Sequence, residues 1–175
     1  IFALLADNPS TLTEICNAVK INQRPAEAVL TVATALGFLT LQDGRYALTT
    51  VAEEYLLERS PNYFGYLWDL MIDNYQVCSY ASLEKAILTD SPQTYGGGNL
   101  YQSHEEQTEL LHRFTRGMHS MSMASALVWP SVVDFSQHRT MLDIGGSSGA
   151  HSIGAAIKLP NLQAIVMDFQ QVCDI

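Results

Sequence analysis

One stretch decides the fold of the C-terminal part of this chain: TMLDIGGSSGA, residues 140–150. Its apolar first half predicts a strand, its glycines predict a tight turn, and a helical pattern follows until Pro160. A second apolar run at residues 164–167 ends on Asp168. Strand, glycine turn, helix, strand and terminal acid together predict a nucleoside-binding β-α-β unit. The glycines let backbone N–H groups approach a ligand, and the acid can accept hydrogen bonds from both ribose hydroxyls.

Two glycine patterns compete for this turn. A dinucleotide fingerprint, G-x-G-x-x-G, needs its second glycine where the backbone meets a pyrophosphate, and Ser147 stands at that position. The acid-first pattern D-x-G-x-G-x-G of S-adenosylmethionine (SAM) methyltransferases fits Asp143, Gly145 and Gly149. Ser147 again replaces a glycine in that pattern, and Gly146 is an addition. Because SAM carries no phosphate, the serine is less damaging there, and the spacing favours SAM.

The residues around this turn resemble those of a known enzyme family. LDIGGSSG at 142–149 and IVMDFQQV at 165–172 resemble the small-molecule O-methyltransferases of the plant caffeic-acid type, with their bacterial natural-product and hydroxyindole relatives. The resemblance runs over nearly the whole chain. Two departures stand in these motifs: Ser147 replaces the third glycine of D-x-G-G-G-x-G, and Phe169-Gln170 replace the usual Leu-Pro after the acid.

The resemblance implies SAM as the cofactor and assigns six residues to its binding. Gly145 would line the ligand and Asp168 would hold the ribose hydroxyls. The other four would shape or support the turn: Gly146, Ser147, Gly149 and Asp143. The segment 113–122 resembles the family helix that crosses the pocket. We hypothesise that its Met118 and Met121 contact the methyl acceptor, since methionine suits irregular apolar pockets.

No histidine of this chain is nominated as the catalytic base. The resemblance implies a histidine base in the later part of the domain, beyond Ile175. His104-Glu105 begins like a zinc-protease motif, but Thr108 stands where the second ligand would be. His112 and His119 are two helical turns apart, which is too far for one metal without further ligands, so no metal site is predicted.

The pattern divides the chain into three regions, mainly α-helical with an α/β C-terminal part. Residues 1–58 are predicted to form a winged helix-turn-helix, and residues 59–138 a helical connector that carries the acceptor pocket. Residues 139–175 are predicted to be the first β-α-β of a class I methyltransferase Rossmann-like domain, which is incomplete in this chain. Since a parallel sheet needs cover on both faces, we expect the 175 residues of this chain alone to bind SAM weakly or not at all and to show no turnover.

Local signals define the first region. Thr11 and Glu14 have the spacing of a capping box, Asn22 is predicted to cap a second helix, and Gly37 is predicted to end it. Asp43-Gly44 predicts a hairpin turn, and Thr49 or Thr50 begins a short helix. The resemblance implies that this winged-helix region mediates homodimerisation.

The middle region is predicted to contain three helices. Ser60-Pro61 begins the first, Leu83 lies in the second, and Ser103 caps a long third helix that Trp129-Pro130 ends. A glycine-rich loop at 96–99 precedes the third helix. The predicted apolar face of that helix contains Leu111, Phe114, Met118, Met121 and Ser125.

The charge of the chain limits its partners. The net charge is −9, from nine basic and eighteen acidic residues, which argues against nucleic acid and anionic membranes as partners. Arg24 is the one basic residue of the helix that would enter a DNA groove. Three widely spaced cysteines fit no disulfide framework and indicate a reducing, cytoplasmic setting.

These observations predict SAM-dependent transfer of a methyl group to a hydroxyl of a small, aromatic or polyketide-like metabolite. The chain would be the N-terminal portion of that enzyme. The alternative is a truncated, non-catalytic dimerisation or scaffold module of the same family. A nicotinamide oxidoreductase is disfavoured by the glycine spacing.

Overall fold

A computed structural model describes residues 1–93 and 108–175 of the chain. The chain folds into two compact units, Ile1–Gly65 and Tyr66–Ile175. The predicted glycine-rich loop at 96–99 and the predicted helix cap at Ser103 lie outside the described residues. The predicted connector from Tyr66 onward and the predicted α/β part both fall in the second unit, because the long helix of the connector packs on the α/β part.

The first unit combines helices with a three-stranded antiparallel sheet of order β1-β3-β2. Its elements in chain order are α1 (Phe2–Asp7), β1 (Ser10–Thr11), α2 (Leu12–Val19), α3 (Gln23–Ala35), β2 (Leu39–Gln42), β3 (Arg45–Leu48) and α4 (Thr50–Tyr55). Its core contains five buried apolar residues: Leu5, Ile15, Leu30, Ala33 and Leu39.

Predicted local signals hold in the first unit. Thr11 and Glu14 form the capping box, with the Glu14 N–H donating to Thr11 Oγ1 at 3.3 Å and the Thr11 N–H donating to Glu14 Oε2 at 2.7 Å. Asp43 and Gly44 have φ angles of 50° and 75°, the left-handed pair of a type I′ hairpin turn. Asn22 precedes α3 as predicted, but its side chain makes no capping hydrogen bond.

Two elements of the first unit carry no signal strong enough to predict. Helix α1 has six residues and no side-chain cap, and strand β1 has two residues. Neither is long enough to show a periodic pattern. Both are nevertheless part of the packing, since Leu5 of α1 is buried and β1 pairs with β3 through Ser10 and Tyr46.

The second unit is helical up to a two-stranded parallel sheet. Its elements are α5 (Gly65–Asp73, whose first residue closes the first unit), α6 (Tyr80–Thr89), α7 (Thr108–Ala126), a 3-10 turn (Trp129–Ser131), β4 (Thr140–Ile144), α8 (Ala150–Lys158), β5 (Gln163–Met167) and α9 (Gln170–Cys173). Strands β4 and β5 pair in parallel, with Ile144 opposite Met167. The predicted β-α-β is thus confirmed.

The prediction that Ser60-Pro61 begins a helix is wrong. Ser60 Oγ accepts from the Asn62 N–H at 3.1 Å, and the Tyr63 N–H donates to the Ser60 carbonyl at 3.1 Å, so this segment is a turn. The Phe64 N–H, which would continue a helix by bonding Ser60, donates to the carbonyl of Tyr55 at 2.8 Å instead. The helix therefore begins only at α5.

The buried face of α7 differs from the predicted one. Leu111 is buried as expected, but Thr115, at 2% exposure, and Met123 are buried too, whereas Met121 is 50% exposed. The prediction followed the largest apolar side chains. The packing selects small residues instead, because α7 lies very close to α8: a Cβ on Gly154 would sit 2.2 Å from the carbonyl oxygen of Ala126.

Within residues 1–93 and 108–175, no helix has both the length and the apolar character that a membrane crossing requires.

The close approach of α7 and α8 gives a first prediction. Gly154→Ala should lower the free energy of unfolding of the complete polypeptide by about 1–3 kcal/mol, because the new Cβ meets backbone that cannot rotate away. Gly117→Ala is the matched control, since its Cβ would meet the flexible Leu70 side chain, with Cδ2 at 2.7 Å. Urea unfolding measures both, and equal losses in the two variants would contradict the packing described here.

Candidate functional site

The turn after β4 has an unusual backbone. The Gly145 N–H donates to the Met167 carbonyl at 2.7 Å, which extends the pairing of β4 and β5 by one bond. Three alternate residues then have positive φ: Gly145 at 68°, Ser147 at 51° and Gly149 at 72°. Glycine adopts this left-handed conformation without steric cost, and other residues do not. The turn is therefore tightly folded, and it lies at the carboxyl ends of the strands.

Ser147 adopts a conformation that normally requires glycine. A left-handed conformation costs an L-residue roughly 1–2 kcal/mol. Part of that cost is offset by a hydrogen bond from the Ser147 N–H to Asp168 Oδ2 at 2.7 Å. The serine that departs from the glycine pattern thus keeps the shape of the turn, with help from the acid at the end of β5.

Asp168 holds the turn and faces solvent-accessible space at the same time. Its Oδ2 accepts from the Ser147 N–H, and its Oδ1 accepts from the Phe169 N–H at 2.8 Å. A carboxylate has about four acceptor positions. Each oxygen of Asp168 therefore retains capacity for one more donor, such as a ribose hydroxyl.

Asp143 supports the turn from the strand side. Its Oδ2 accepts from the hydroxyl of the buried Ser152 at 2.7 Å. A Cβ on Gly146 would lie 2.8 Å from the Asp143 carboxyl carbon and 2.9 Å from Val166 Cγ1. Glycine is required at 146 for space, whereas a Cβ on Gly145 would meet no atom within 4 Å. Gly145 therefore borders open space where a ligand can approach its backbone.

A cleft of about 500 Å³ lies between this turn and α7. Its α7 side is apolar, with Leu111, Phe114 and Met118, and its opposite side is formed by the turn and Asp168. The volume is within the range of small-molecule sites. One wall can take a flat apolar group, and the other offers backbone and carboxylate groups.

Most of the predicted site residues meet at this cleft. The predicted residues that line it are Asp143, Gly145, Gly146, Ser147, Asp168 and Met118. Gly149 is the last residue of the turn, directly before α8, and it borders a neighbouring cleft instead. Met121 is half exposed and does not line the cleft, because Ser122 rather than Met121 follows Met118 on the cleft side of α7. We therefore give Met121 no contact with the acceptor.

Two histidines at the site were not predicted to have a role there. His151, in the first turn of α8, lines the cleft. His119 of α7 places Nδ1 2.9 Å from Ser148 Oγ in the turn. Burial lowers the pKa of His119 below its ordinary value of 6.5, which favours the neutral imidazole at neutral pH. The sequence around His119 and Ser148 does not indicate their contact, since 29 residues separate the two.

In the described part of the chain, no three His, Cys, Asp or Glu side chains come together as metal ligands would.

The sequence profile of the O-methyltransferase domain family matches residues 80–175, which is more than half of the chain. The chain belongs to this O-methyltransferase family. The match covers α7, the turn, Asp168 and the whole cleft between them.

Two curated relatives show how the family match extends over the chain. A 3-hydroxy-5-methyl-1-naphthoate 3-O-methyltransferase of Streptomyces sahachiroi is 33% identical over 173 residues, covering 99% of this chain and 50% of the relative. An L-tyrosine C(3)-methyltransferase of Streptomyces lavendulae is 27% identical over 176 residues, covering 96% of this chain and 47% of the relative. The chain thus spans about half the length of the curated relatives it matches.

A solved structure shares the fold of this O-methyltransferase chain. Human N-acetylserotonin methyltransferase in complex with SAM superimposes with a TM-score of 0.79 at 20% identity, covering 98% of this chain and 52% of the human one. The similarity at this level of identity concerns the fold alone.

Proposed function

We propose that this chain is the N-terminal portion of a SAM-dependent methyltransferase that methylates a hydroxyl of a small aromatic or polyketide-like metabolite. One observation carries the proposal: a left-handed turn and the carboxylate of Asp168 face the same cleft. Family membership supports SAM as the ligand, as does the similar human methyltransferase that was solved in complex with SAM.

The residues of the cleft fit SAM. Asp168 would accept hydrogen bonds from the ribose hydroxyls, using the acceptor positions that the Ser147 and Phe169 amides leave open. Gly145 would let the ligand approach the backbone, because nothing occupies the space a Cβ would take there. SAM supplies a methyl group activated by a positively charged sulfonium. This chain would hold that group in line with the acceptor, so that alignment lowers the barrier.

The α7 side of the cleft suits an aromatic acceptor. Leu111, Phe114 and Met118 present apolar surface there, and methionine adapts to irregular shapes. The relative with 33% identity acts, by its name, on the 3-hydroxyl of a naphthoate. The relative with 27% identity is named for methylation at carbon. The higher identity to the former leads us to propose a hydroxyl as the methylated group.

The first unit would serve dimerisation as a winged helix. Helices α2 and α3, followed by the hairpin β2–β3, have the order of a winged helix-turn-helix. On α3, Val29, Val32 and Leu36 are each more than half exposed and lie one and two turns apart. An apolar stripe with a single arginine on the helix suits a second copy of the chain better than a DNA groove.

Cofactor binding is tested at Asp168. With the complete polypeptide that the gene encodes, Asp168→Asn should raise the Kd for S-adenosylhomocysteine (SAH) about tenfold to hundredfold, since hydrogen bonds to a charged group are lost. Asp174→Asn is the control, because Asp174 is exposed and its side chain bonds only Gln170 among the described residues. Calorimetry measures both. An unmodified polypeptide that binds no SAH would favour the scaffold alternative over the enzyme.

Acceptor binding is tested on α7. Met118→Ala should raise the KM for a hydroxylated naphthoate about tenfold, because apolar surface facing the acceptor is removed. Met121→Ala makes the same change three residues away, outside the cleft, and should leave KM within about twofold of the parent. Steady-state kinetics of the complete polypeptide provide the measurement. Equal effects of both substitutions would disprove the assignment of Met118.

Dimerisation is tested on the apolar stripe of α3. Val32→Glu places a charge in the middle of the stripe and should convert a dimer into a monomer, as measured by light scattering coupled to size exclusion. Thr31→Glu adds the same charge at an exposed position on the other side of α3 and should leave the dimer intact. A dimer that survives Val32→Glu would place the interface elsewhere.

A further inference from the structure

We propose that His119 is a positioning residue, which holds the glycine-rich turn in its ligand-binding shape through the hydroxyl of Ser148. The identity of the ligand rests on the proposed function, but the restraint itself does not. The hydrogen bond of 2.9 Å between His119 Nδ1 and Ser148 Oγ joins the middle of α7 to the turn. It is one of the two side-chain hydrogen bonds that fix this turn from outside among the described residues.

The bond from His119 to Ser148 restrains the turn next to Ser147, the residue with an unfavourable backbone conformation. Ser147 has a φ of 51°, where the pattern of this motif has a glycine. Its own amide is bonded to Asp168, and the side chain of the next residue is bonded to His119. Asp168 therefore restrains the turn from β5, and His119 restrains it from α7. A turn with glycine at 147 would depend less on either bond, because glycine adopts this conformation freely.

Histidine suits this position chemically. His119 is half buried between α7 and the turn, and burial favours its neutral form. A neutral imidazole has one donor and one acceptor nitrogen, and a serine hydroxyl can either donate or accept. The pair therefore forms with either tautomer. The bond to the turn therefore requires no charged side chain at this position.

The restraint links the two halves of the proposed substrate site. Met118, which lines the acceptor side of the cleft, is adjacent to His119 in α7. One short segment of α7 would thus contact the acceptor through Met118 and position the glycine-rich turn through His119. Loss of the His119 bond should therefore weaken cofactor binding more than acceptor binding.

The experiment compares four variants of the complete polypeptide by SAH calorimetry. His119→Leu keeps bulk but removes the hydrogen bond and should raise Kd about fivefold to tenfold. His119→Asn loses bulk but keeps a hydrogen-bonding group near the position of Nδ1, and should stay within about twofold of the parent. Ser147→Gly combined with His119→Leu should return Kd to within about twofold of Ser147→Gly alone.

A packing role for His119 makes the opposite prediction. If bulk were what mattered, leucine would be tolerated and asparagine would not, and Ser147→Gly would rescue nothing. Either result overturns the proposal. Ser148→Ala removes the same bond at its other partner and should match His119→Leu, which covers the case where the leucine variant fails to fold.

Amide hydrogen exchange without ligand separates this proposal from the proposed function. The Ser147 N–H should exchange at least fivefold faster in His119→Leu than in the parent, and near the parental rate in His119→Asn. If the parent binds no SAH, the proposed function fails and the exchange result alone decides on His119. Unchanged exchange of the Ser147 amide in His119→Leu would overturn the positioning role.

Discussion

The hydrogen bond from the Ser147 amide to Asp168 Oδ2 is the contact on which the site depends. It joins residues 21 positions apart and can form only if β4 and β5 lie side by side in parallel. The same pairing brings the Gly145 amide to the Met167 carbonyl. These two bonds restrict the backbone between Gly145 and Ser147 to its left-handed path. The turn then leads directly into α8, with Gly149 as the residue before the helix.

The second wall of the cleft depends on a different constraint, the close packing of α7 on α8. Ala126 and Gly154 approach so closely that no side chain fits between them, and Met123 fills the adjacent space with Ala150. This contact fixes the rotation of α7 about its axis. Met118 then faces the cleft, Met121 faces away, and His119 reaches the turn. A rotation of α7 by half a turn would carry Met118 away from the cleft and His119 away from the turn.

The features that sequence reasoning predicted correctly are those governed by neighbouring residues. The capping box at Thr11 and the Asp43-Gly44 hairpin depend on contacts or conformations within a few positions. The strands of the β-α-β pair 23 residues apart, but each strand and the turn after the first strand have their own local pattern. Asp168 could be assigned to the cleft because parallel strands end at the same edge.

The features that were missed depend on distant partners. Ser60 failed to begin a helix because the Phe64 amide bonds Tyr55 instead. The face of α7 was set by the small residues of α8, so the largest apolar side chains, Met121 among them, were poor guides. His119 could not be connected with Ser148 from spacing alone, because that contact exists only once α7 has packed.

The Ser147 amide already donates to Asp168, and this bond favours one class of nucleoside ligand in the cleft over another. A pyrophosphate at such a turn needs free backbone N–H groups. Here the Ser147 N–H already bonds a carboxylate, and the described lining of the cleft contains Asp143 and Asp168 but no lysine or arginine. Two phosphates would lack the Ser147 amide as a donor and would lie near two carboxylates, with no lysine or arginine among the described lining residues. A sulfonium nucleoside brings positive charge to the same acidic cleft, so its charge favours binding where that of a dinucleotide would oppose it.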